Sequence, residues 1–249
     1  MRAVQIALRV LDTVSRRQPV GVSELARELQ LSKTTVQRSL LSLSQAGWIE
    51  PAHEQKTAWT LSVRALVVGG RAIDSRRGLR SIAIPIMETL RRATEETIHL
   101  FVRDGDWVVL IERLDGIKPV RMFNPVGGFA WMHRTSSGKS ILANLPQAEC
   151  DQYLARPLTT GQPRAALDVT AFLDELALIR ERGFAINLSA NQPDVSAVSA
   201  AIFDANRQPI GAISISGPSD RISESLCIER GPLVSDAARQ ATMGMRLRR

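Results

Sequence analysis

The chain is poor in several features that define whole classes of protein. Two cysteines occur in 249 residues, which is too few for a disulfide framework or a cysteine-rich metal centre. No apolar run approaches the roughly 18 residues that a membrane-spanning helix needs, and the amphipathic start MRAVQIALRVLDTV is unlike a signal peptide. The sequence therefore predicts a soluble, cytoplasmic protein without a metal, a cofactor or a membrane partner.

Acidic residues are scarce in the first third of the chain, which carries the whole net charge of +7. Residues 1–80 contain 13 Lys or Arg and 6 Asp or Glu, whereas residues 81–249 contain 19 of each class. The stretch LSKTTVQRSLLSLSQAGWIE (31–50) has no acidic residue before Glu50. A basic segment joined to a larger neutral one indicates a polyanionic partner for the basic segment alone.

Hydrophobic periodicity in the first 61 residues predicts a winged helix-turn-helix domain. Helices are predicted at residues 3–16, 22–29 and 33–46, followed by two short strands around a polar turn at 52–57. Ser32 is suited to cap the third helix, and Gly47 to end it. Gln30 must adopt a backbone conformation in the turn that usually requires Gly.

The third helix is predicted to place its polar residues on one outward face. Val36, Leu40 and Leu43 share the opposite face, at helical spacing. On a DNA-facing helix, carboxylates would be repelled by phosphates, whereas Arg can read guanine, Gln can read adenine, and hydroxyls can contact bases or phosphates. The predicted contacts to double-stranded DNA are Ser32, Lys33, Thr34, Thr35, Gln37, Arg38, Ser42 and, in the wing, Lys56. An ordinary three-helix packing unit is the alternative interpretation.

The rest of the chain predicts a linker and an α+β domain. Residues 62–78 have a helical pattern interrupted by two glycines, and a helix follows at 79–96. Further helices are predicted from 136, at 146–154, 169–183 and 229–247, and six strands in a hairpin at 97–116 and at 120–128, 184–189, 195–204 and 209–217. This order is typical of a GAF-like or PAS-like effector domain with a central antiparallel sheet. The predicted domains are 1–61, 62–78 and 79–249.

The segment HRTSSGKSILANL (133–145) contains Gly138-Lys139-Ser140, as a phosphate-binding loop would. That loop also needs a Gly five residues earlier, where this chain has His133. What remains is a helix that opens with hydroxyls and free backbone N–H groups, which suit one small anion such as a carboxylate. A plain capped helix explains the same residues.

No catalytic arrangement is apparent in the sequence. The three histidines, His53, His99 and His133, lack metal-ligand spacing, and there is no G-x-S-x-G motif. Two other classes remain as alternatives: an enzyme that transforms a small molecule and uses the basic segment for localisation, and an architectural DNA-binding protein. The first would need a catalytic pair, and the second leaves the neutral domain without a purpose.

The chain resembles the IclR family of bacterial transcription regulators over essentially its full length. The resemblance rests on GVSELARELQLSKTTVQRSLLSLSQAGWIE, NPVGGFAWMHRTSSGKSILANL, GFAINL and AIFDANRQPIGAISISGPSDRI. It implies a winged helix-turn-helix, a linker helix and a GAF-like effector domain in a homodimer, with pairing of dimers into tetramers in many members. Members of the family sense small organic acids or aromatic catabolic intermediates.

The resemblance also implies a set of effector contacts. The backbone amides that hold the ligand carboxylate correspond to Ser136 and Ser137, and two strand serines to Ser214 and Ser216. The family's acidic contact corresponds to Asn187 and its cysteine contact to Ala197, and these two departures predict a roomier, less polar pocket. With Phe129, Trp131 and Met132 in the adjoining loop, we expect an aromatic or medium-sized carboxylic acid.

The sequence as a whole predicts a ligand-responsive transcription regulator, with repression favoured over activation. A dimer would read an inverted-repeat operator, and the effector would bind one dimer geometry better than another.

Overall fold

The computed structural model describes residues 2–53, 57–75, 77–156, 167–189 and 192–247. Contacts divide the chain into two units, Met1–Ser75 and Arg76–Arg249, and each unit has its own hydrophobic core. No helix within the described ranges is long and apolar enough to cross a membrane.

The first unit contains the predicted winged helix-turn-helix. Its elements are α1 (Arg2–Arg17), β1 (Val20–Gly21), α2 (Val22–Leu29), α3 (Lys33–Gln45), β2 (Ile49–Pro51), β3 (Ala58–Leu61) and α4 (Val63–Ser75). The apolar stripes of α1, α2 and α3 meet in one core, where Leu25 and Leu40 are completely buried. The wing has a strand beyond the two expected, because β1 pairs with β3 at Val20 and Trp59.

The turn between α2 and α3 has the conformation that its sequence predicts. Gln30 lies in the left-handed region at φ 55° and ψ 45°, and the Leu31 N–H donates to the Ala26 carbonyl at 3.0 Å. Ser32 caps α3 by accepting a hydrogen bond from the Thr35 N–H at 3.2 Å. The turn thereby sets which face α3 presents to solvent.

The second unit is the predicted α+β domain around an antiparallel sheet. Its elements are α5 (Arg77–Thr94), β4 (Thr97–Asp104), β5 (Trp107–Leu114), β6 (Phe129–Trp131), a 3-10 helix (Met132–Arg134), α6 (Ser136–Leu142), α7 (Gln147–Leu154), α8 (Val169–Arg182), β7 (Ala185–Leu188), β8 (Val195–Phe203), β9 (Pro209–Pro218) and α9 (Glu224–Leu247). The strands lie in the order β6-β5-β4-β9-β8-β7, and every described pairing is antiparallel. The predicted fold class is therefore confirmed.

Helices cover both faces of this sheet. On one face α5 and α9 pack against residues such as Leu100 and Ile213. On the other, α6 and α8 share a core with Ala212. Because successive strand residues point to opposite faces, β4 directs Leu100 to the first face, and His99 and Phe101 to the second.

The strand predicted at 120–128 is a correction, because this segment is an irregular extended loop and the strand starts at Phe129. Backbone hydrogen bonds to β5 begin only at the Pro-Val-Gly-Gly turn (125–128), where the Gly127 N–H donates to the Leu110 carbonyl and the Leu110 N–H donates to the Gly128 carbonyl, both at 2.8 Å. Side chains satisfy carbonyls that precede this turn. Arg221 donates to the Val120 carbonyl at 2.9 Å, Thr97 donates to the Met122 carbonyl at 3.2 Å, and Arg113 donates to the Asn124 carbonyl. The loop is thus held by hydrogen bonds from side chains.

Candidate functional site

Polar residues of α3 form an exposed surface on the first unit, which we call the α3 surface. Ser32, Lys33, Thr34, Gln37, Arg38 and Ser42 are exposed, and Thr35 is half-buried. Thr35 also exchanges a hydrogen bond with the hydroxyl of Ser32 at 2.8 Å, so its side chain partly serves the cap. Seven of the eight predicted DNA contacts therefore lie on one surface, and Lys56 lies outside the described residues.

The cationic side chains of the α3 surface are available to a partner. Within the described part of the chain, Lys33, Gln37 and Arg38 take part in no side-chain hydrogen bond or ion pair. By contrast, Arg16 of α1 pairs with Asp12 at 2.9 Å. A short helix with free cations and no carboxylate on its outer face matches the requirements of the DNA major groove.

A second candidate site lies between α6 and the sheet, and we call it the α6 cavity. Six of the nine predicted effector contacts line it: Ser136, Ser137, Asn187, Ala197, Ser214 and Ser216. Sheet register explains how residues so distant in sequence meet. Asn187 pairs with Ala197, which pairs with Ser216, which pairs with Thr97, so they form one row across four strands.

The neighbouring row supplies the contact to α6. His99 pairs with Ser214, which pairs with Ser199. The Ser199 hydroxyl donates to the Ile213 carbonyl at 3.0 Å and lies within hydrogen-bond distance, 3.2 Å, of the Ser137 hydroxyl. This link holds the start of α6 against the sheet.

Close backbone packing explains the glycine in the SSGKS segment. A Cβ on Gly138 would lie 2.2 Å from the Cα and carbonyl oxygen of Met132, so only Gly allows this approach. Thr135 caps α6 by accepting the Gly138 N–H at 2.9 Å, while Lys139 pairs with Glu175 at 2.8 Å. These residues therefore have structural roles, and no described partner uses the N–H of Ser136 or Ser137.

His99 is the lining residue of most consequence that sequence reasoning missed. It is 1% exposed, and its Nδ1 lies 3.0 Å from the Ser216 hydroxyl. Its Nε2 has no hydrogen-bond partner among the described residues, and neither does Oδ1 of Asn187. Burial, with a smaller effect of the nearby Arg113 charge, lowers the pKa of His99 to about 4, so the imidazole is neutral at pH 7.

A signal for His99 was present in the sequence. In a strand such as TIHLFV (97–102), which has one buried apolar face, a polar residue between Ile98 and Leu100 must point to the opposite face. The other lining residues that were missed are Phe101, Asn124, Gln192 and Val195, whereas Thr135 belongs to the helix start that the sequence suggested for a small anion. Asn124 and Gln192 lie in loops, where the sequence has no periodicity from which the direction of a side chain could be predicted.

Phe129, Trp131 and Met132 are not among the residues that line the α6 cavity. Phe129 is 53% exposed on the edge strand, and Trp131 stacks on Trp107 with ring centroids 3.7 Å apart. Met132 is completely buried in the core beneath α6. These three predicted contacts are therefore not found in the cavity, and the ring-bearing residues of its lining are His99 and Phe101.

The α6 cavity is small, and its lining combines polar and apolar groups. Its volume is about 60 Å³, which is room for about four or five water-sized groups. Four serines, Asn187 and His99 contribute polar atoms, whereas Phe101, Val195 and Ala197 form the apolar wall.

No metal-binding site is evident among the described residues of this unit. No group of three or more His, Cys, Asp or Glu residues in the described part of the chain could hold a metal ion. Both cysteines are buried, and burial raises the pKa of the Cys150 and Cys227 thiols, the latter to about 11.

Comparison with known proteins gives the same division of the chain. The model of the IclR helix-turn-helix domain matches residues 3–52, and that of the bacterial transcriptional regulator IclR C-terminal domain matches 72–243. The chain is 31% identical over 246 residues to the transcriptional repressor IclR of Escherichia coli strain K12, covering 96% of this chain and 89% of that relative. It is 29% identical over 246 residues to the HTH-type transcriptional regulator BhcR of Paracoccus denitrificans, covering 98% and 88%.

Solved structures share the fold along the whole chain. The crystal structure of Thermotoga maritima IclR aligns with a TM-score of 0.73 at 26% identity, covering 99% of each chain. An IclR homolog from Microbacterium hydrocarbonoxydans, crystallised in complex with 4-hydroxybenzoate, aligns with a TM-score of 0.78 at 22% identity, covering 98% of this chain and 99% of that one.

Proposed function

Because the chain belongs to the IclR family of bacterial transcription regulators, we propose that it represses transcription at an inverted-repeat operator and that a small carboxylic acid in the α6 cavity changes its operator affinity. The proposal rests on one observation. Serine, amide and imidazole groups line one cavity of the second unit, whereas α3 belongs to the first unit. Repression is favoured because the relatives at 30% identity or more include proteins named as repressors.

The α3 surface would read the operator. Arg38 and Gln37 would contact base edges in the major groove, while Lys33 and the hydroxyl residues at the helix start would contact phosphates. A homodimer would place two such surfaces on the two half-sites of an inverted repeat, and a dimer of dimers would engage a longer site. In this proposal residues 1–61 bind DNA, 62–78 link, and 79–249 bind effector and oligomerise.

The effector carboxylate would accept hydrogen bonds from the N–H groups of Ser136 and Ser137. Ser214 and Ser216 lie on the same face of β9, so both hydroxyls can meet the ligand together. A cavity of about 60 Å³ favours a short-chain acid, since an engineered cavity that binds benzene measures about 150 Å³. The bound 4-hydroxybenzoate of the Microbacterium homolog supports the carboxylic acid class.

Effector binding would act by selecting one arrangement of the protein. A ligand shifts an equilibrium only by the difference between its affinities for the two states. An effector that binds tenfold more tightly to the state with low operator affinity would shift the equilibrium between states by about 1.4 kcal/mol.

One observation favours a second candidate, a hydrolase. The sequence indicated no nucleophile–base pair, yet the fold brings Ser216 within 3.0 Å of His99 Nδ1, and the free N–H groups of Ser136 and Ser137 resemble an oxyanion site. A pKa of about 4 makes His99 a weak base at pH 7, and no described carboxylate bonds its Nε2. We therefore propose that the pair binds ligand and does not turn it over.

The test measures operator binding and effector binding in the same protein. Duplexes selected from random DNA by the purified protein provide the operator, and fluorescence anisotropy follows its release on adding C3–C4 carboxylic acids or benzoate. Ser137→Glu should abolish the response by occupying the site with a carboxylate, whereas Ser136→Ala keeps the backbone N–H and should respond nearly as the parent does. A Ser214→Val/Ser216→Val variant should lose affinity by about 1–3 kcal/mol per hydrogen bond removed.

Two outcomes would contradict the proposal. An unchanged response in both Ser137→Glu and the double valine variant would place the effector outside the α6 cavity. Hydrolysis of p-nitrophenyl acetate that disappears in Ser216→Ala would favour the enzyme.

A further inference from the structure

We propose that His99 is the residue that determines effector specificity, and that its Nε2 bonds a hydroxyl group on a short-chain hydroxycarboxylic acid. The inference rests on the proposed function, because it assumes that the α6 cavity receives a carboxylic acid. It adds a contact on β4 that recognises a group other than the carboxylate.

The geometry leaves two buried polar atoms of the cavity lining for the ligand. His99 is 1% exposed and Asn187 is 6% exposed, and both line the α6 cavity. Nε2 of His99 and Oδ1 of Asn187 have no partner within the described residues. Buried polar groups in folded proteins nearly always have hydrogen-bond partners, so the ligand is expected to supply them.

His99 and Asn187 line the cavity from different strands of the sheet. The strand order places β9 and β8 between β4 and β7, so the backbones of His99 and Asn187 are three strand spacings apart, about 14 Å. A ligand with polar atoms at two separate positions can therefore bond more of this lining than a simple fatty acid or an unsubstituted aromatic acid does.

A hydroxyl is the group that suits His99. Ser216 either donates to Nδ1 or accepts from it, so Nε2 is a donor in one tautomer and an acceptor in the other. A hydroxyl group donates and accepts, and it can therefore bond Nε2 in both cases. On the other side, the Asn187 amide offers an oxygen to a donor and an NH₂ to an acceptor.

The charge state of His99 supports this assignment. Because burial keeps its imidazole neutral at pH 7, the ring does not form an ion pair with the carboxylate. Its contribution to affinity then depends on whether the ligand has a hydrogen-bonding group opposite Nε2. A neutral imidazole therefore distinguishes ligands by the group that lies opposite Nε2. A cationic residue would instead attract any anion.

Calorimetry with matched acids tests the inference. Lactate and propionate form one pair, and 3-hydroxybutyrate and butyrate form the other; each pair differs at a single hydroxyl. The parent protein should bind a hydroxy acid about tenfold more tightly than its deoxy partner, and His99→Leu should reduce this ratio to about one. His99→Gln, which restores an amide near the position of Nε2, should recover part of the ratio.

Phe101→Leu is the matched control, because Phe101 lines the same cavity from the same strand without a polar atom. It should change the affinity for both members of a pair equally. In the unmutated protein, the imidazole ¹⁵N resonances provide a second measurement that does not depend on a variant folding. The chain has 3 histidines, and saturation with lactate should shift the His99 Nε2 resonance while propionate should not.

The outcomes separate this inference from the proposed function. Binding of carboxylic acids with no preference for the hydroxyl, or a preference that persists in His99→Leu, would overturn the role of His99 alone. Failure of every carboxylic acid, benzoate included, to bind would overturn both.

Discussion

Replacing Glu96 by Gln tests the buried ion-pair cluster that holds the loop before β6. The Glu96 side chain is 0% exposed. Arg221 donates to both of its oxygens, at 2.7 Å and 2.9 Å, and Lys118 lies 3.0 Å from Oε1. Since Arg221 also donates to the Val120 carbonyl, the cluster ties the loop to the start of β4.

The expected loss of stability follows from the burial of the carboxylate. Removing one partner of a buried ion pair costs about 3–5 kcal/mol. Arg221 and Lys118 are 29% and 28% exposed, so water can partly rehydrate them, and we expect the lower value, about 3 kcal/mol. Glu88→Gln is the matched control, because Glu88 also bonds two arginines, Arg91 and Arg92, but at the surface of α5. Its effect should be much smaller.

Urea unfolding followed by tryptophan fluorescence measures the difference. A Trp48→Phe/Trp59→Phe background leaves Trp107 and Trp131 as reporters of the second unit. Glu96→Gln should lower the unfolding free energy of that unit by about 3 kcal/mol at pH 7.

The pH dependence has a definite sign. Burial raises the pKa of Glu96, but hydrogen bonds from Arg221 and then Lys118 outweigh it, and the pKa is lowered overall. The stabilisation is therefore complete above the unfolded pKa of about 4.3 and is lost as the pH falls through the lower folded pKa. The difference in unfolding free energy between the parent and Glu96→Gln should therefore become smaller as the pH falls through that range. Equal stabilities for Glu96→Gln and Glu88→Gln at pH 7 would refute the reasoning.

Four further variants test other features. Arg38→Ala should weaken operator binding and relax base preference by about 1–3 kcal/mol, whereas Lys33→Ala should weaken binding to all duplexes equally and reduce the slope of the salt dependence by about one. Gel shifts at several salt concentrations measure both effects. If both variants bind DNA as the parent does, the α3 surface is not the DNA-binding surface. Gly138→Ala should destabilise the second unit by about 1–3 kcal/mol and weaken effector binding, because its Cβ would meet the Met132 backbone at 2.2 Å; a parent-like urea midpoint would contradict this. Gln30→Gly should raise the stability of the first unit by about 1 kcal/mol in thermal melts, with operator affinity unchanged, and a loss of stability would show that Gln30 is not strained.

Local patterns explain why the first unit could be predicted closely. The α2 boundaries agree with the prediction, and α3 begins at Lys33 after its Ser32 cap, because caps and apolar spacing are properties of neighbouring residues. The strand β1 was missed because two residues, Val20 and Gly21, carry no alternation. Its existence depends on pairing with β3, which lies far along the chain.

In the second unit, features set by local patterns could be predicted from the sequence, and contacts set by the pairing of distant strands could not. The free N–H groups of Ser136 and Ser137 follow from cap chemistry, and the shared face of Ser214 and Ser216 follows from strand periodicity. The contact between His99 and Ser216 joins residues 117 positions apart, and only the sheet register determines it.

Composition misled the prediction at the edge of the sheet. Phe129 and Trp131 are near α6 in sequence, and aromatic residues commonly line ligand pockets. On β6, however, Trp131 pairs with Trp107 and stacks on its ring. Which surface an edge strand offers to a neighbour is set by its partner strand, and the sequence of the edge strand does not contain that information.

The strand order of the second unit also has a consequence for the timing of folding. The central pairing joins β4 to β9, with Thr97 opposite Ser216, so the sheet and its cavity cannot close until nearly the whole chain has been synthesised. In the first unit, long-range contacts such as Thr60 with Gln18 span 42 positions, and this unit can form while the rest is still being translated. If synthesis stops within the second half of the chain, the product therefore contains a complete first unit and an incomplete second unit. Under the proposed function, such a fragment would bind DNA without a response to the effector.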